Sequence, residues 1–436
     1  MAASGRVVPE QAAPRVAFVT LGCKVNQAES DTIASVLPGA QVVREQVDAD
    51  IIVVNTCTVT GEADHKARKA VRHALGQPRR PIVIVTGCLA ALDAAGIAAL
   101  GDRVIAEPDK ERVRERVREL AHVRASDNAA GPDGALRATG RARVQLKVED
   151  GCDAFCSYCI IPYARGVPRA VPLAEVVASA QALAAAGVAE VVLAGINIGR
   201  YDDRGATLAD VIEAVAATGI PRIRISSIEP GDLDARLLES AARTRAFCRH
   251  LHVPLQSGSD GVLARMGRPY TTAVFAERLQ AAREALPGVA ISTDVIAGFP
   301  GETDAEHAET LAFVEGEGFS RLHVFRYSAR TGTPAAAMTV QTPPPVRAAR
   351  ASELRDLGQR LADQAVRSAE DTLAEVLVER VRAGGYDGLR RVEGTTREYL
   401  RVEVAHEDAV TGELLRVRLG RPGPTGVLEG VVESDG

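Results

Sequence analysis

Six of the seven cysteines in this chain of 436 residues stand where a parallel sheet and a metal-binding chemistry would require them. Three form a close run with the spacing C-x-x-x-C-x-x-C: Cys152, Cys156 and Cys159. Three more are far apart in sequence, but each closes a short apolar run (VAFVTLGC, IIVVNTC and PIVIVTGC): Cys23, Cys57 and Cys88. These positions favour a repeated strand-then-helix fold with cysteines at one edge of a sheet.

Residues that follow neighbouring strands of a parallel sheet converge in space even when they are tens of residues apart in sequence. We therefore expect Cys23, Cys57 and Cys88 to lie together. Thiolates hold iron–sulfur clusters, and close spacing lets one loop bind three corners of a four-iron cluster. A cluster with three cysteine ligands keeps one iron without a protein ligand, and such an iron is a place for chemistry.

Each set of cysteines has an alternative interpretation. The close run would fit a structural zinc site, but zinc normally takes four ligands, and no fourth Cys or His lies nearby in sequence. The dispersed set would fit small buried residues, since free cysteine is among the most buried residue types. A cysteine nucleophile would need a base, and no His stands with any of the three in a recognisable motif. Cys248 has no partners in sequence, and we interpret it as a packed thiol.

Composition limits the possible partners. The net charge is −5, so no global basic field marks a nucleic-acid binder, and any RNA-binding surface must be local. The first residues lack the apolar core of a signal peptide, and Glu175 and Glu190 interrupt the longest apolar stretch, so we expect no membrane association. We expect a cytoplasmic protein, where cysteines bind metals or act in catalysis more often than they form disulfides.

Sequence patterns divide the chain into five segments. We expect a flexible tail at 1–14, an α/β domain with a parallel sheet at 15–121, and a linker rich in Gly, Pro, Asp and Asn at 122–140. Residues 141–365 contain six strand-like runs with helical patterns between them, which predicts a partial barrel of six β-then-α units. Four short alternating runs then predict a small all-β barrel at 366–436.

The motifs TLGCKVNQ (20–27), NTCTVT (55–60) and TGC (86–88), together with the close cysteine run, resemble those of the radical S-adenosylmethionine (SAM) methylthiotransferases. The similarity extends from about residue 15 to about residue 433. It implies an N-terminal α/β cluster domain, a radical-SAM partial (β/α)6 barrel and a C-terminal all-β TRAM barrel. The first two motifs are most similar to those of the bacterial branch that acts on tRNA carrying N6-threonylcarbamoyladenosine beside the anticodon.

The resemblance also implies two [4Fe–4S] clusters. Cys152, Cys156 and Cys159 would hold the cluster at which SAM is cleaved to a 5′-deoxyadenosyl radical, which takes hydrogen from C2 of the adenine. The dispersed set of cysteines would hold an auxiliary cluster that delivers methylated sulfur to this carbon. The implied partners are a tRNA substrate, an electron donor and a sulfur source. Three alternatives stay open: the same chemistry on isopentenyladenosine tRNA, the same chemistry on an aspartate of a ribosomal protein, and a zinc-stabilised RNA-binding protein.

Two further sets of residues are candidates for binding. The first set would bind SAM from the cluster loop and the strand ends: Tyr158, Gly195, Asn197, Ser226, Glu229 and Gln256. The second set would contact RNA phosphates from adjoining faces of a helix: Lys66, Arg68, Lys69 and Arg72. The alternatives are turn or capping roles for the first set and an ordinary solvated helix face for the second.

Overall fold

The computed structural model describes residues 13–38, 41–122, 142–382, 390–423 and 425–433. The chain divides into two compact units. The first unit comprises Met1–Gly22, Glu29–Cys57 and Ala63–Thr139, and the second comprises Cys23–Ala28, Thr58–Glu62 and Gly140–Gly436. The predicted linker at 122–140 lies outside the described residues apart from His122, and so does the predicted tail apart from Ala13 and Pro14.

The first unit contains a parallel sheet of four strands. They are β1 (Val16–Thr20), β2 (Ile51–Thr56), β3 (Ile82–Gly87) and β4 (Val104–Ala106). The strands pair in chain order, β1-β2-β3-β4. Inner strands of a parallel sheet are covered on both faces and so consist of β-branched and aliphatic residues, and all six residues of β2 are buried. The sheet confirms the predicted α/β architecture of this part of the chain.

Five α-helices are described in this part of the chain. They are α1 (Lys24–Ala34), α2 (Gly61–Leu75), α3 (Cys88–Leu92), α4 (Ala94–Ala98) and α5 (Lys110–Leu120). On α2 the buried residues Ala67, Val71 and Ala74 recur every three or four positions, as an amphipathic helix requires. The carboxylate of Asp109 caps α5 by accepting from the N–H groups of its first turn.

The second unit is built around parallel strands. In chain order its first strands are β5 (Arg143–Lys147), β6 (Glu149–Asp150), β7 (Arg169–Ala170), β8 (Glu190–Ala194), β9 (Arg222–Ile225), β10 (His250–His252), β11 (Ala290–Ala297) and β12 (Arg321–Arg326). Strands β5, β8 and β9 pair in parallel, as do β10, β11 and β12, and a bridge between Ser227 and His252 continues the order from β9 to β10. These six strands form the predicted partial barrel, while β6 and β7 are a small antiparallel pair.

Helices separate the barrel strands. They are α6 (Ile161–Arg165), α7 (Leu173–Ala185), α8 (Leu208–Ala216), α9 (Ala235–Arg243), α10 (Asp260–Met266), α11 (Thr272–Ala285), α12 (Asp304–Glu317) and α13 (Pro344–Arg367). Capping residues define where such helices begin. At the start of α12, for example, Thr303 and Glu306 form a reciprocal capping box. Within the described residues, none of the helices has the length and apolar character needed to cross a membrane.

The C-terminal part of the second unit is a closed barrel of five strands. They are β13 (Leu373–Arg382), β14 (Arg391–Thr395), β15 (Arg401–Ala405), β16 (Leu414–Pro422) and β17 (Leu428–Val432), in the order β13-β14-β15-β17-β16. The barrel confirms the predicted all-β fold and adds β14 to the four strands indicated by sequence. Gly394 weakens the alternating pattern of β14, and a Cβ there would come within 2.4 Å of the Leu377 carbonyl oxygen.

A buried charge cluster joins the strands at the base of the partial barrel. Glu190 of β8 is fully buried and pairs with Arg143 of β5 and with Arg222 and Arg224 of β9. Burial alone would raise the pKa of this carboxyl group, but the three guanidinium groups outweigh burial and hold the pKa at about 2. Arg222 and Arg224 also donate to the carbonyl of Thr396 at 2.9 and 3.3 Å. The cluster therefore fixes the C-terminal barrel to these strands.

We expect Glu190→Gln to lower thermal stability strongly, because it leaves the buried guanidinium groups of Arg222 and Arg224 without their counter-ion. Removing one partner of a buried ion pair costs about 3–5 kcal/mol. Glu213→Gln is the matched control, since Glu213 lies on the exposed face of α8 with Arg236 3.8 Å away. The measurement is the unfolding midpoint of the full chain, and equal midpoints for the two variants would contradict the role given to Glu190.

Candidate active site

Cys57 and Cys88 follow adjacent strands of the first unit. Cys57 comes directly after β2, and Cys88 is the first residue of α3, directly after β3. The last residues of these strands, Thr56 and Gly87, are partners in the parallel register. Both cysteines therefore leave the sheet at the same edge, and they are only 8% and 3% exposed.

Gly87 allows this edge to form. Its φ of +91° lies in the region that favours glycine, and a Cβ there would come within 2.2 Å of the Thr56 carbonyl oxygen. The Thr56 hydroxyl in turn donates to the carbonyl of Thr86 at 2.5 Å. Close backbone approach at the ends of β2 and β3 thus sets the positions of the two cysteines.

Cys23 belongs to the segment Cys23–Ala28 of the second unit. Its thiol is exposed, and Sγ lies 3.8 Å from Oδ1 of Asn26 in the first turn of α1. The same Oδ1 accepts a hydrogen bond of 2.5 Å from Nη2 of Arg165, whose Nη1 lies 2.8 Å from Asp150. Asp150 precedes the close cysteine run and Arg165 follows it, so these contacts fix the Cys23 segment to the flanks of that run.

The close cysteine run occupies the loop between β6 and α6. The N–H of Cys159 donates to the carbonyl of Cys156 at 2.9 Å, which makes a single tight turn. The Sγ of Cys152 accepts from the N–H of Ala154 at 3.5 Å and from Nδ2 of Asn197 at 3.8 Å. Donors aimed at sulfur are typical of cysteines that hold iron–sulfur clusters.

The three thiols of the close run influence one another. Burial raises the pKa of Cys159 to about 12; the N–H of Ile161 opposes the rise, and the nearby Cys156 and Cys152 add to it. Burial also raises the pKa of Cys152. Metal ligation requires thiolates, so a cationic iron core would supply the positive charge that stabilises them.

Arg268 is a residue of this site that sequence patterns did not indicate. It is 8% exposed, and its Nη1 donates to the Sγ of Cys156 at 3.2 Å. It also forms an ion pair with Glu229 and lies over the ring of Tyr270, 4.9 Å from the centroid. Arg268 and Cys156 are 112 residues apart, so no local motif could have joined them.

Three of the residues predicted to bind SAM lie together at the ends of β8 and β9. Ser226 Oγ accepts from the N–H of Gly195 at 3.2 Å, and the N–H of Asn197 donates to Glu149 at 2.8 Å. A Cβ on Gly195 would come within 2.8 Å of Glu149 Oε2. Burial raises the pKa of Glu149 to about 7. Asn197 Oδ1 is buried and has no hydrogen-bond partner among the residues that the structure describes.

The other three residues predicted to bind SAM have defined contacts. Tyr158 packs edge-on against Phe299, with 6.5 Å between the ring centroids. Gln256 has a φ of +68°, held by backbone hydrogen bonds to β11, and such strain in a residue other than glycine is frequent at functional sites. Glu229 forms an ion pair with Arg268, and Arg268 donates to the Sγ of Cys156, so Glu229 acts on the cysteine run through Arg268.

These donors fit a cluster and SAM at the close cysteine run. N–H groups donate hydrogen bonds to the Sγ atoms of Cys152 and Cys156. The donor to Cys152 is Nδ2 of Asn197, and the Oδ1 of the same side chain is buried without a hydrogen-bond partner among the described residues. A buried polar atom without a partner is rare and is explained by a ligand that completes it. Over the described ranges of the chain, no three His, Cys, Asp or Glu side chains form a group that could hold a single metal ion.

The four basic residues of α2 that were predicted to contact RNA differ in their exposure to solvent. Lys66, Lys69 and Arg72 are exposed. Arg68 is instead half-buried and pairs at 2.5 Å with Asp93, the N-cap residue of α4. Three of the four residues predicted to contact RNA therefore face solvent, while the fourth stabilises the first unit.

Lys24, the first residue of α1, is a further residue that sequence patterns did not single out. It belongs to the second unit and is half-buried. Burial lowers its pKa to about 8, and the charges of Arg224 and Arg143 lower it further. These arginines are more than a hundred residues away in sequence, so no local pattern indicates their electrostatic effect on Lys24.

Two family models match the chain. The Radical SAM superfamily matches residues 146–314, and the Uncharacterized protein family UPF0004 matches residues 15–106. The first match contains the close cysteine run and most of the partial barrel, and the second contains the four-stranded sheet. The fold and the cysteine run thus define a radical SAM enzyme.

Relatives with named activities indicate which kind of radical SAM enzyme the chain resembles. The chain is 37% identical to the threonylcarbamoyladenosine tRNA methylthiotransferase MtaB of Bacillus subtilis, over 96% of this chain and 97% of the relative. It is 34% identical to the tRNA-2-methylthio-N(6)-dimethylallyladenosine synthase of Chlorobium luteolum, over 92% and 93%. The chain therefore belongs to the radical SAM tRNA methylthiotransferase family, which confirms the resemblance seen in its motifs.

A solved structure shares the fold at low sequence identity. It is the radical SAM methyltransferase TsrM from Kitasatospora setae with cobalamin and a [4Fe-4S] cluster bound, at a TM-score of 0.53 and 15% identity. The match covers 76% of this chain and 80% of that chain. At such identity the likeness concerns the fold alone, and it agrees with the observed α/β architecture.

Proposed function

We propose that this chain adds a methylthio group to C2 of N6-threonylcarbamoyladenosine, next to the anticodon of tRNA, by radical SAM chemistry. The threonylcarbamoyl substrate is supported by the motif wording and by relatives of that name from three organisms at 35–37% identity. In this proposal the cluster domain spans 15–121, the radical-SAM domain 141–365 and the TRAM-like domain 366–436, with a tail at 1–14 and a linker at 122–140.

One observation carries the proposal. Asn26 contacts the thiol of Cys23 and also accepts from Arg165, which is tied to Asp150 on the other side of the close cysteine run. A reaction that activates a carbon at one centre and supplies sulfur from another needs the two centres near one substrate atom. A short chain of contacts from Cys23 to the flanks of the close run supports this proposal.

We assign Cys152, Cys156 and Cys159 to the [4Fe–4S] cluster that binds SAM, and we assign the auxiliary [4Fe–4S] cluster to the strand-end set Cys23, Cys57 and Cys88. When bound, the first cluster supplies the electron that cleaves SAM and the second holds the sulfur to be transferred. The shared sheet edge of Cys57 and Cys88 and the thiol-directed donors of the close run support this division.

The chain's own residues would position these groups. Arg268 donates to Cys156 Sγ, and a positive charge with an N–H···S bond at a cluster ligand raises the reduction potential. Asn197 would bind SAM through its unsatisfied Oδ1, with Gly195 leaving room for close approach. The rest of the proposed SAM site consists of Tyr158, Ser226, Glu229 and Gln256.

The reaction requires two partners besides tRNA, namely an electron donor and a sulfur source from outside the chain. We propose that it takes place in the cytoplasm. Among the basic residues of α2, we propose that Lys66, Lys69 and Arg72 contact tRNA phosphates, while Arg68 keeps its ion pair with Asp93.

The experiment that tests the substrate is mass spectrometry of tRNA nucleosides from cells with and without the gene. We expect the methylthio form of threonylcarbamoyladenosine to disappear on deletion and to return with the wild-type gene, because no other step makes the C2–S bond in this proposal. Loss of the methylthio isopentenyl nucleoside instead would reassign the substrate, and loss of neither would reject a tRNA adenosine as the target.

Alanine substitution in the two cysteine sets should affect different steps of the reaction. Cys156→Ala should abolish SAM cleavage and product together, because it removes a ligand of the SAM-binding cluster. Cys57→Ala should keep SAM cleavage and stop sulfur insertion. Cys248→Ala, a buried thiol outside both sets, is the control and should retain both activities. The readouts are 5′-deoxyadenosine and the methylthio nucleoside in one assay; full product from Cys57→Ala would overturn the role of the strand-end set.

Charge removal on α2 should weaken tRNA binding. Each lost phosphate contact reduces the slope of log affinity against log salt by about 0.7–0.9, so Lys69→Ala with Arg72→Ala should reduce it by about 1.5. Arg112→Ala with Arg116→Ala removes the same charge from exposed positions on α5 and serves as the control. Affinity is measured by filter binding over a salt series, and identical slopes for the two double variants would remove α2 from the tRNA interface.

A further inference from the structure

Glu149 is a fully buried carboxyl group at the start of the close cysteine run. It is 0% exposed and lies in β6, three residues before Cys152. Its Oε1 is buried and has no hydrogen-bond partner among the residues that the structure describes. Burying a polar atom without a partner is costly, and an apolar side chain would avoid this cost. The stability of the fold therefore does not account for a carboxyl group at this position.

The other oxygen of this carboxyl group holds the loop that follows β8. Oε2 accepts a hydrogen bond of 2.8 Å from the N–H of Asn197. The preceding backbone N–H, that of Ile196, also donates to the Glu149 carboxyl group. Successive backbone N–H groups of this kind form a concavity that binds anions, and here the chain itself supplies the carboxylate. One side chain thus fixes the loop after β8 to the start of the cysteine run.

The backbone around Glu149 is shaped for this close approach. The N–H of Val148 donates to the carbonyl of Ala194 at 2.9 Å, so the two segments are already joined at the end of β8. A Cβ on Gly195 would come within 2.8 Å of Glu149 Oε2 and within 3.0 Å of the Cβ of Ile198. Glycine at this position therefore lets the loop come close enough for its N–H groups to reach the carboxyl group.

The residue that Glu149 holds also contacts a proposed cluster ligand. Nδ2 of Asn197 lies 3.8 Å from the Sγ of Cys152, and Oδ1 of the same amide is buried without a partner among the described residues. The direction of the amide depends on where the backbone of Asn197 is held. Glu149 holds that backbone through the N–H group, so it acts on Cys152 through Asn197.

We propose that Glu149 is a positioning residue, which anchors the backbone of Asn197 and thereby directs the Asn197 amide towards the Sγ of Cys152 and towards SAM. The inference rests on the proposed function for the cluster and for SAM. An N–H···S hydrogen bond tunes the reduction potential of a cluster. A ligand-binding group that is fixed before binding also loses less entropy when the ligand binds.

The test is a double-mutant cycle on the reconstituted holoenzyme. The variants are Glu149→Met, which keeps the length of the side chain without an oxygen acceptor, Asn197→Ala, and the two combined. The ligand is aza-SAM, a SAM analogue that is not cleaved, and the electron paramagnetic resonance spectrum of the reduced protein reports its binding. We expect each single variant to raise the dissociation constant about 10-fold. The double variant should bind no more weakly than Asn197→Ala, because Glu149 acts through Asn197.

Glu149→Gln separates the hydrogen bond from the charge. Glu149→Met and Glu149→Gln both lack the carboxyl charge, but only the glutamine keeps an oxygen that accepts the N–H of Asn197. Glu149→Gln should therefore recover most of the affinity for aza-SAM. Its close-run cluster should also have a higher reduction potential than that of Glu149→Met, as measured by redox titration. Glu149→Leu, a second apolar variant, should repeat the result of Glu149→Met.

Val215→Ala is the control for general destabilisation, because it removes buried volume from α8. It should keep the wild-type affinity and potential, and unfolding midpoints establish that each variant is folded. If the effects of Glu149→Met and Asn197→Ala simply add in the double variant, the positioning role is overturned while the proposed function stands. The same holds if Glu149→Met and Glu149→Gln behave alike, or if Val215→Ala weakens binding equally. If the wild type does not bind aza-SAM, the proposed function fails and this inference fails with it.

Discussion

The whole arrangement depends on the parallel pairing of strands, which brings residues distant in sequence to one edge of a sheet. In the first unit, the register between Thr56 and Gly87 places Cys57 and Cys88 side by side. In the second unit, the parallel strands β8 and β9 bring Gly195 and Ser226 together at their ends. Backbone hydrogen bonds hold this register, so Cys57 and Cys88 reach the same edge without any contact between their side chains being required.

Buried ion pairs then stabilise either the fold or the candidate site. Glu190 is compensated by three arginines and serves the fold, since it joins β5, β8 and β9. Arg268 is compensated by Glu229 and is directed at a cluster ligand. Arginines of one barrel thus have different roles according to the groups that each one contacts.

Sequence was sufficient for the features that local pattern encodes. Apolar runs located three of the four strands of the N-terminal sheet, the six barrel strands and four of the five strands of the C-terminal barrel, and motif wording identified the family. Sequence patterns did not predict contacts between residues that are far apart in the chain. Arg268 reaches Cys156 across 112 residues, and the pairing of Arg68 with Asp93 depends on how α2 packs in the first unit. Glu229 was predicted to bind SAM, and its ion pair with Arg268 could not be predicted from the residues that flank it in sequence.

The central claim is that the chain holds two clusters, each bound by three cysteines. Iron and sulfide are quantified after anaerobic reconstitution of the wild type and of two triple-alanine variants, one for the close run and one for the strand-end set. The account predicts about eight irons per wild-type chain and about four in either variant, since each set holds one four-iron cluster. About four irons in the wild type, unchanged when the strand-end set is replaced, would contradict it.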